Sequence, residues 1–259
     1  MQLLVAFKSD PAGYNMASHI AEGMDEKQDG FYKGKNFDLA IIPTPAISAD
    51  WLEEKYSYDG FVFLSKHASE SGTLALTCHS TGNFGDAQFG GSARQVAVPH
   101  PHLQKSYMKH LWEMREHFAK FEITIEATHH GPTGLSKPAL FIEIGTTEKE
   151  WNNKSLCNDV AEIVAREFES EPKKSKVALC FGGTHYPEKF NRELIEGEFA
   201  LGTVIPRHAL DALDGELFEH ILGRNREASV ALVDWRGLGK NKQKIISMLE
   251  NTSLEVVRL

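Results

Sequence analysis

The chain predicts an α/β fold, a three-layer α/β/α arrangement around a mixed sheet, and three features carry that expectation. Short β-branched or apolar runs recur along the whole length, segments with a 3.6-residue period separate most of them, and one pair of runs follows with no helix between. Residues 3–7 read as the first strand. Asp10-Pro11 then starts a helix, with Asp as cap and Pro in the first position, where no N–H is needed; it runs to about Met24. Residues 39–42 form a second strand, ended by Pro43 and Pro45. The runs 61–64 and 74–78 flank the polar loop KHASESG (66–72) and suggest an antiparallel pair. From Leu103 the period changes: Leu103, Tyr107, Leu111, Met114 and Phe118 recur at three and four residues and mark an amphipathic helix.

Residues 121–128 alternate as a strand until Gly131-Pro132 stops them. A strand over 139–144 ends at Gly145. A helix over 148–168 follows, turning Trp151, Val160, Ile163, Val164 and Phe168 inward. The remainder reads as a strand at 177–181, a short helix after Pro187, a strand at 201–205 and a helix at 208–222. A strand at 230–233, a helix at 240–250 and a strand at 254–258 complete it. No linker, repeat or low-complexity segment interrupts this alternation, so residues 1–259 read as one domain.

Composition narrows the function. Apolar residues make up 41% and charged residues 25% of 259, as in ordinary globular proteins. No apolar run approaches the ~20 residues a bilayer span needs, and the run 3–7 is too short for a signal peptide. The three cysteines (Cys78, Cys157, Cys180) form no CxxC pair. Neither a zinc ribbon nor a disulfide framework is implied, and a reducing, cytoplasmic setting is expected. A net charge of −8 tells against a sequence-independent DNA binder, which needs clustered cations, but leaves room for a protein that grips a few phosphates. The densest basic stretch is RGLGKNKQK (236–244), with Lys240, Lys242 and Lys244. A monomer is the expected state.

Chemistry concentrates where strands end. EATHHGPT (126–133) places an acid three residues before paired histidines, and Gly-Pro immediately after them. Three other strand-like runs also finish at a histidine: His67, His79 and His185. Ligands of open α/β sheets bind outside the carboxyl ends of strands, so this convergence points to an enzyme. A histidine beside a carboxylate can be a general base, a metal ligand or a binder of a substrate amine. On a regular strand His129 and His130 would point oppositely, so they are not expected to share one ion. FGGTHY (181–186) brings Gly182 and Gly183 directly after a strand, where backbone amides can approach an anion. SKHASESGTLALTCHSTGN (65–83) gathers Lys66, His67, Ser69, Ser71, Thr77, His79, Ser80, Thr81 and Asn83 around one apolar strand, a density that suits sugar or phosphate oxygens. Glu143 is an acid inside the apolar strand FIEIG, either paired with a histidine or solvated at an edge.

SKHASESG, LTCHSTGN, EATHHGPT, the segment from PALFIEIGTT to Trp151, and FGGTHY together closely resemble the archaeal- and plant-type D-aminoacyl-tRNA deacylases, over most of the chain. The resemblance implies a metal-associated hydrolase that cleaves the ester between a D-amino acid and the 3′-terminal ribose of tRNA. The implied fold is layered like phosphorylases and peptidyl-tRNA hydrolases. Carried over by position, it implicates His67, His79, Glu126, His129, His130, Glu143 and His185. Zinc is the expected metal, with His79, His129 and His185 as its ligands. His129 or His130 is expected to activate or orient water. Glu126 or Glu143 would hold the amino group or an imidazole tautomer, with His185 alongside. The amides around Gly182, Gly183 and Thr184 would meet the oxyanion. His67, His79, Ser80, Thr81, Glu143 and Lys240 are the expected substrate contacts. The chain departs from the family pattern at Thr203, where a histidine is expected, and at Thr184, where glycine is frequent. Two other readings stay open: a nucleoside phosphorylase or hydrolase of the same layered fold, and a non-catalytic module that binds the tRNA end.

Overall fold

A computed structural model describes residues 1–70 and 72–259, so Ser71 of the hydroxyl-rich segment lies outside the described residues. The first half builds an eight-stranded mixed sheet. Strand β1 (Gln2–Phe7) leads into α1 (Pro11–Ala21), then β2 (Asp25–Gln28), β3 (Phe31–Lys33) and β4 (Phe37–Ile42). Helix α2 (Leu52–Lys55), β5 (Gly60–His67), β6 (Ala75–His79), the two-residue pair β7 (Gly82–Asn83) and β8 (Gln95–Val96), α3 (Pro101–Glu113), β9 (Glu122–Ile125) and β10 (Ala139–Gly145) follow. The sheet order is β2-β3-β4-β1-β5-β10-β6-β9, parallel from β4 through β10. Helices α4 (Glu148–Trp151) and α5 (Lys154–Arg166) return over it. The second half adds β11 (Lys176–Phe181), α6 (Glu188–Ile195), β12 (Phe199–Ile205), α7 (Gly215–Arg224), β13 (Ala228–Val233), α8 (Lys242–Leu249) and β14 (Glu255–Arg258). Its four strands form a separate, wholly parallel sheet in the order β12-β11-β13-β14.

The central strands are buried on both faces, which is why they read as continuous apolar runs. Leu4 and Ala6 face the core beneath α1 and α5, whereas Leu3 and Val5 face a second cluster covered by residues 46–52. Asp10 caps α1 by accepting the Gly13 amide at 2.9 Å. Gly13 itself is required: a Cβ there would lie 2.2 Å from the Leu64 carbonyl oxygen, so only glycine lets α1 lie flat on β5. Leu103, Tyr107 and Met108 of α3 share one core with Leu76 and Ile123 of the first sheet and Ala178 and Leu201 of the second. On its other face the second sheet packs against Leu217 and Phe218 of α7 and Ile245 and Leu249 of α8.

Several expected elements differ. The runs 61–64 and 74–78 do not pair with each other, because β10 inserts between them, parallel to β5 and antiparallel to β6. The β2–β3 hairpin carried no pattern to read, since β2 is exposed throughout. The expected helix over 148–168 is two helices, capped separately by Thr147 and Asn153. The one expected at 208–222 begins only at Gly215, where Asp214 accepts the Leu217 amide at 3.0 Å.

Thr203 is fully buried in β12. Its amide donates to Asn225 Oδ1 at 2.9 Å, and Asn225 Nδ2 donates to Thr203 Oγ1 and to the Ile221 carbonyl, each at 2.8 Å. Replacing Asn225 by Leu strands these partners in the interior. Stability should fall by about 2–3 kcal/mol, read as a lower urea midpoint at unchanged m-value; an unmoved midpoint would contradict this role.

Candidate active site

Residues from both sheets meet around one buried carboxylate. His67 ends β5, and Glu143 sits opposite Ser65 in the neighbouring β10. Strand β6 runs antiparallel to β10, so His79 at its end reaches the sheet centre opposite Phe141, arriving from the other direction. Strand β9 runs beside β6 and hands over to Glu126, whose amide donates to the Cys78 carbonyl. The second sheet joins at this point. The Ala127 amide donates to the His185 carbonyl at 2.8 Å, and the Thr128 amide to the Val204 carbonyl at 3.0 Å. His67 and His79 end strands as expected, whereas His129 and His185 lie in the loops after β9 and β11. Strands β5 and β10 running one way, β6 and β9 running the other, and a loop of the second sheet supply the site.

Glu126 is 1% exposed and Glu143 4% exposed, so each must be paired to stay charged. Glu126 Oε2 lies 2.8 Å from His185 Nε2 and 3.7 Å from His129 Nε2, and Glu126 Oε1 lies 3.1 Å from His67 Nδ1. Glu143 reaches His67 Nδ1 at 3.4 Å and His79 Nε2 at 3.8 Å. Burial alone would push both carboxyls up, but these imidazoles outweigh it: Glu126 is held well below the ordinary range and Glu143 is lowered. Burial likewise opposes charge on His67, yet hydrogen bonds to the two carboxylates raise it to about 10. Its Nε2 lies 2.5 Å from the Tyr186 hydroxyl. His130 is the reverse case: burial and the neighbouring His79 depress it to about 4, and His129 falls well below its usual value for the same causes.

His129 and His130 do not point apart. His130 adopts a left-handed backbone conformation (φ 44°), which brings the two ring centroids to 4.5 Å. Both rings pack on His79, at 4.1 and 4.7 Å. Three backbone carbonyls fix the tautomers: Nδ1 of His79 meets Ser80 O at 3.1 Å, Nδ1 of His129 meets Ala127 O at 2.8 Å, and Nδ1 of His130 meets Gly131 O at 2.6 Å. A carbonyl can only accept, so each Nδ1 carries the proton. In the neutral rings of His129 and His130, Nε2 is then a bare lone pair. His79 Nε2 is buried without a close hydrogen-bond partner, Glu143 Oε1 standing 3.8 Å away.

Bare nitrogens and carboxylate oxygens facing one another are what a cation needs. His79, His129 and His130 form one group that could hold a metal ion, Glu126, His129 and His185 a second, and His67, Glu126 and Glu143 a third, with ligand atoms within 4.8 Å in each. A cleft of about 510 Å³ opens onto them, lined by His67, Glu126, His129, His130, Glu143 and His185 and by Asp10, Ser65 and Lys66. A larger cavity of about 640 Å³, lined by His100, His102 and Arg224, contains none of the expected site residues.

Other expected residues stand elsewhere. Ser80 and Thr81 are buried outside the cleft lining, and Thr81 Oγ1 donates to the Pro132 carbonyl at 2.5 Å. The Gly182 amide is spent on the Ile205 carbonyl at 2.8 Å and cannot serve an oxyanion. Gly183 and Thr184 line a separate hollow of about 200 Å³ beside Arg207. Lys240 pairs with Asp211 at 2.8 Å. Thr203 is not in the cleft lining, its hydroxyl being held by Asn225. Two cluster members carried no distinguishing sequence signal. Asp10 reads as a helix cap, yet its Oδ2 accepts from Ser65 Oγ and the Lys66 amide at the cleft wall, and burial raises its carboxyl. Tyr186 reads as the residue before a helix.

A family model described as D-aminoacyl-tRNA deacylase matches residues 54–257. A D-aminoacyl-tRNA deacylase of Cenarchaeum symbiosum is 58% identical over 257 residues, covering 99% of both chains. The chain belongs to the D-aminoacyl-tRNA deacylase family. A second member, from Archaeoglobus fulgidus, is 31% identical across 100% of this chain and 96% of its own. A crystal structure described as a conserved protein of unknown function superposes with a TM-score of 0.93 at 30% identity, covering 100% of this chain and 95% of the other. The cluster of imidazoles and acids is thus built on this family's fold.

Because both rings stay neutral at pH 7 with Nδ1 committed, long-range ¹H–¹⁵N spectra of the chelator-treated protein should show His129 and His130 as Nδ1–H tautomers. Nε2–H signals for both would contradict the geometry.

Proposed function

We propose that the chain hydrolyses the ester of D-aminoacyl-tRNA, releasing the D-amino acid and free tRNA. One observation carries the chemical side of this reading: His129 and His130, neutral with bare Nε2 atoms, stand beside the buried Glu126 in an open cleft. An ester with a free α-ammonium is already activated, so its hydrolysis needs positioned water and charge stabilisation more than a covalent nucleophile. Among the described residues lining the cleft, Asp10, Glu126 and Glu143 are acidic, which suits that ammonium group. His129 Nε2 can accept a hydrogen bond from the attacking water, while Glu126 holds His185 from behind. His67, kept cationic by the two acids and lining the cleft, sets a positive charge beside the developing oxyanion, a role the spent Gly182 amide cannot fill. Rejection of L-residues would rest on shape.

The donor sets fit zinc, which takes imidazole nitrogen and carboxylate oxygen in tetrahedral sites. When bound, such an ion supplies Lewis acidity, polarising the ester carbonyl and acidifying water. His79, His129 and His130, or Glu126, His129 and His185, would hold it. The reading extends to a single-domain monomer acting on the aminoacylated 3′ end of tRNA in the cytoplasm, without DNA or membrane as partner. Among the described residues no helix is long and apolar enough to cross a membrane. A module that merely grips the tRNA end would have no use for buried, mutually oriented imidazoles and carboxylates.

Replacing His129 by Ala or Glu126 by Gln should lower kcat for D-aminoacyl-tRNA at least about 100-fold; undiminished rates in both variants would remove the cluster from the mechanism. Independently of turnover, zinc added to chelator-treated protein should raise the melting temperature of the wild type. It should raise that of His129→Ala, which lacks the ligand common to both sets, by much less, and equal rises would place the ion elsewhere.

A further inference from the structure

We propose that Phe89 is a stacking platform for the 3′-terminal adenine of the substrate; the inference rests on the functional reading above. Phe89 is 68% exposed, the most exposed large apolar side chain among the described residues, and it lines the same cleft as His129 and His130. A lone aromatic on a protein surface is ordinary. This one is distinguished by where it is held and how firmly.

Its carbonyl accepts the Gly131 amide at 3.0 Å, which fixes the Phe89 backbone next to the His130–Gly131 turn. The following residues are locked. A Cβ on Gly90 would lie 2.1 Å from the Ile47 carbonyl oxygen, and one on Gly131 would lie 2.3 Å from the Gly91 nitrogen, so three chain segments touch backbone to backbone. Asn83 Nδ2 donates to the Gly90 carbonyl at 2.8 Å, and the Ser92 amide donates to Thr133 Oγ1 at 2.8 Å. A loop this constrained could have turned its apolar ring inward. Instead the ring stands in solvent at the cleft mouth, and Pro45 and Ile47 supply further apolar surface of that cleft.

The histidine cluster decides what occupies this surface. If the scissile ester lies at His129 and His130, the ribose that carries it lies there too, and its base is only one ribose away. In tRNA that base is adenine. An aromatic ring anchored at the turn after His130 is within such reach, and ring-on-base stacking accepts a purine through its π-face without reading its edges. The platform would then hold the leaving side of the ester, while the amino acid occupies the acidic wall formed by Asp10 and Glu143.

The test compares D-tyrosine esterified to adenosine with D-tyrosine ethyl ester, which presents the same acid without the base. For Phe89→Ala, KM for the adenosine ester should rise about tenfold more than KM for the ethyl ester, with kcat on the adenosine ester within about twofold of wild type. Phe89→Trp should keep the wild-type KM, because the larger ring stacks at least as well, whereas Phe89→Leu should resemble Ala. Equal changes on the two esters, or no change on either, would overturn the proposal. So would a leucine variant as good as tryptophan, since that would mark generic apolar contact. A wild-type protein inert on D-aminoacyl-tRNA and on both esters would instead overturn the functional reading, and this inference with it. The circular dichroism and melting temperature of each variant, expected to be unchanged at so exposed a position, separate loss of stacking from loss of fold.

Discussion

The arrangement depends on one buried carboxylate. Glu126 lies where β9 runs out, and it meets imidazoles from β5, from its own loop and from the second sheet. Taking a carboxylate out of water is costly unless several donors surround it. His67 and His185 meet that requirement, and in doing so they are drawn together from segments far apart in sequence. Glu143 repeats the device one strand away, sharing His67 and approaching His79. The two acids keep His67 charged, while burial keeps His129 and His130 neutral. Within a few ångströms the site thus offers cationic donors and bare acceptors, an electrostatic division that ester hydrolysis can use.

The second constraint is the seam between the sheets. Residues 127 and 128 hydrogen-bond to His185 and Val204, so the loop carrying the histidine pair is pinned to β12 and to the turn after β11. Helix α3 fills the space between the sheets with Leu103, Tyr107 and Met108. Any loosening of this seam would separate His185 from Glu126. The positive φ of His130 belongs to the same economy of space: it folds the second ring back onto His79 where a regular strand would send it outward.

Much of this was legible in the sequence, for identifiable reasons. Buried strands announce themselves as apolar runs, and α1 by its Asp-Pro start. Histidines at the ends of such runs marked the site, and His67, His79, Glu126, His129, His130, Glu143 and His185 do converge. What remained hidden is non-local. The insertion of β10 between β5 and β6 depends on pairing across more than sixty residues of chain, beyond what local pattern encodes. The left-handed His130 has no sequence signature, because glycine is the residue that usually advertises that conformation. Gly182 looked like an oxyanion donor, but its amide had already been claimed by Ile205. Asp10 and Tyr186 each have an ordinary local explanation, and only the assembled fold sets one in the cleft wall and the other against His67.

Anomalous diffraction at the zinc absorption edge, from crystals of chelator-treated protein soaked in zinc, tests the central claim most directly: that Glu126 and its imidazoles form one cation-accepting cluster. The account predicts a peak bonded to Nε2 of His129 together with His79 and His130, or with Glu126 and His185. Zinc found only away from this cluster, with these side chains unmoved, would contradict it.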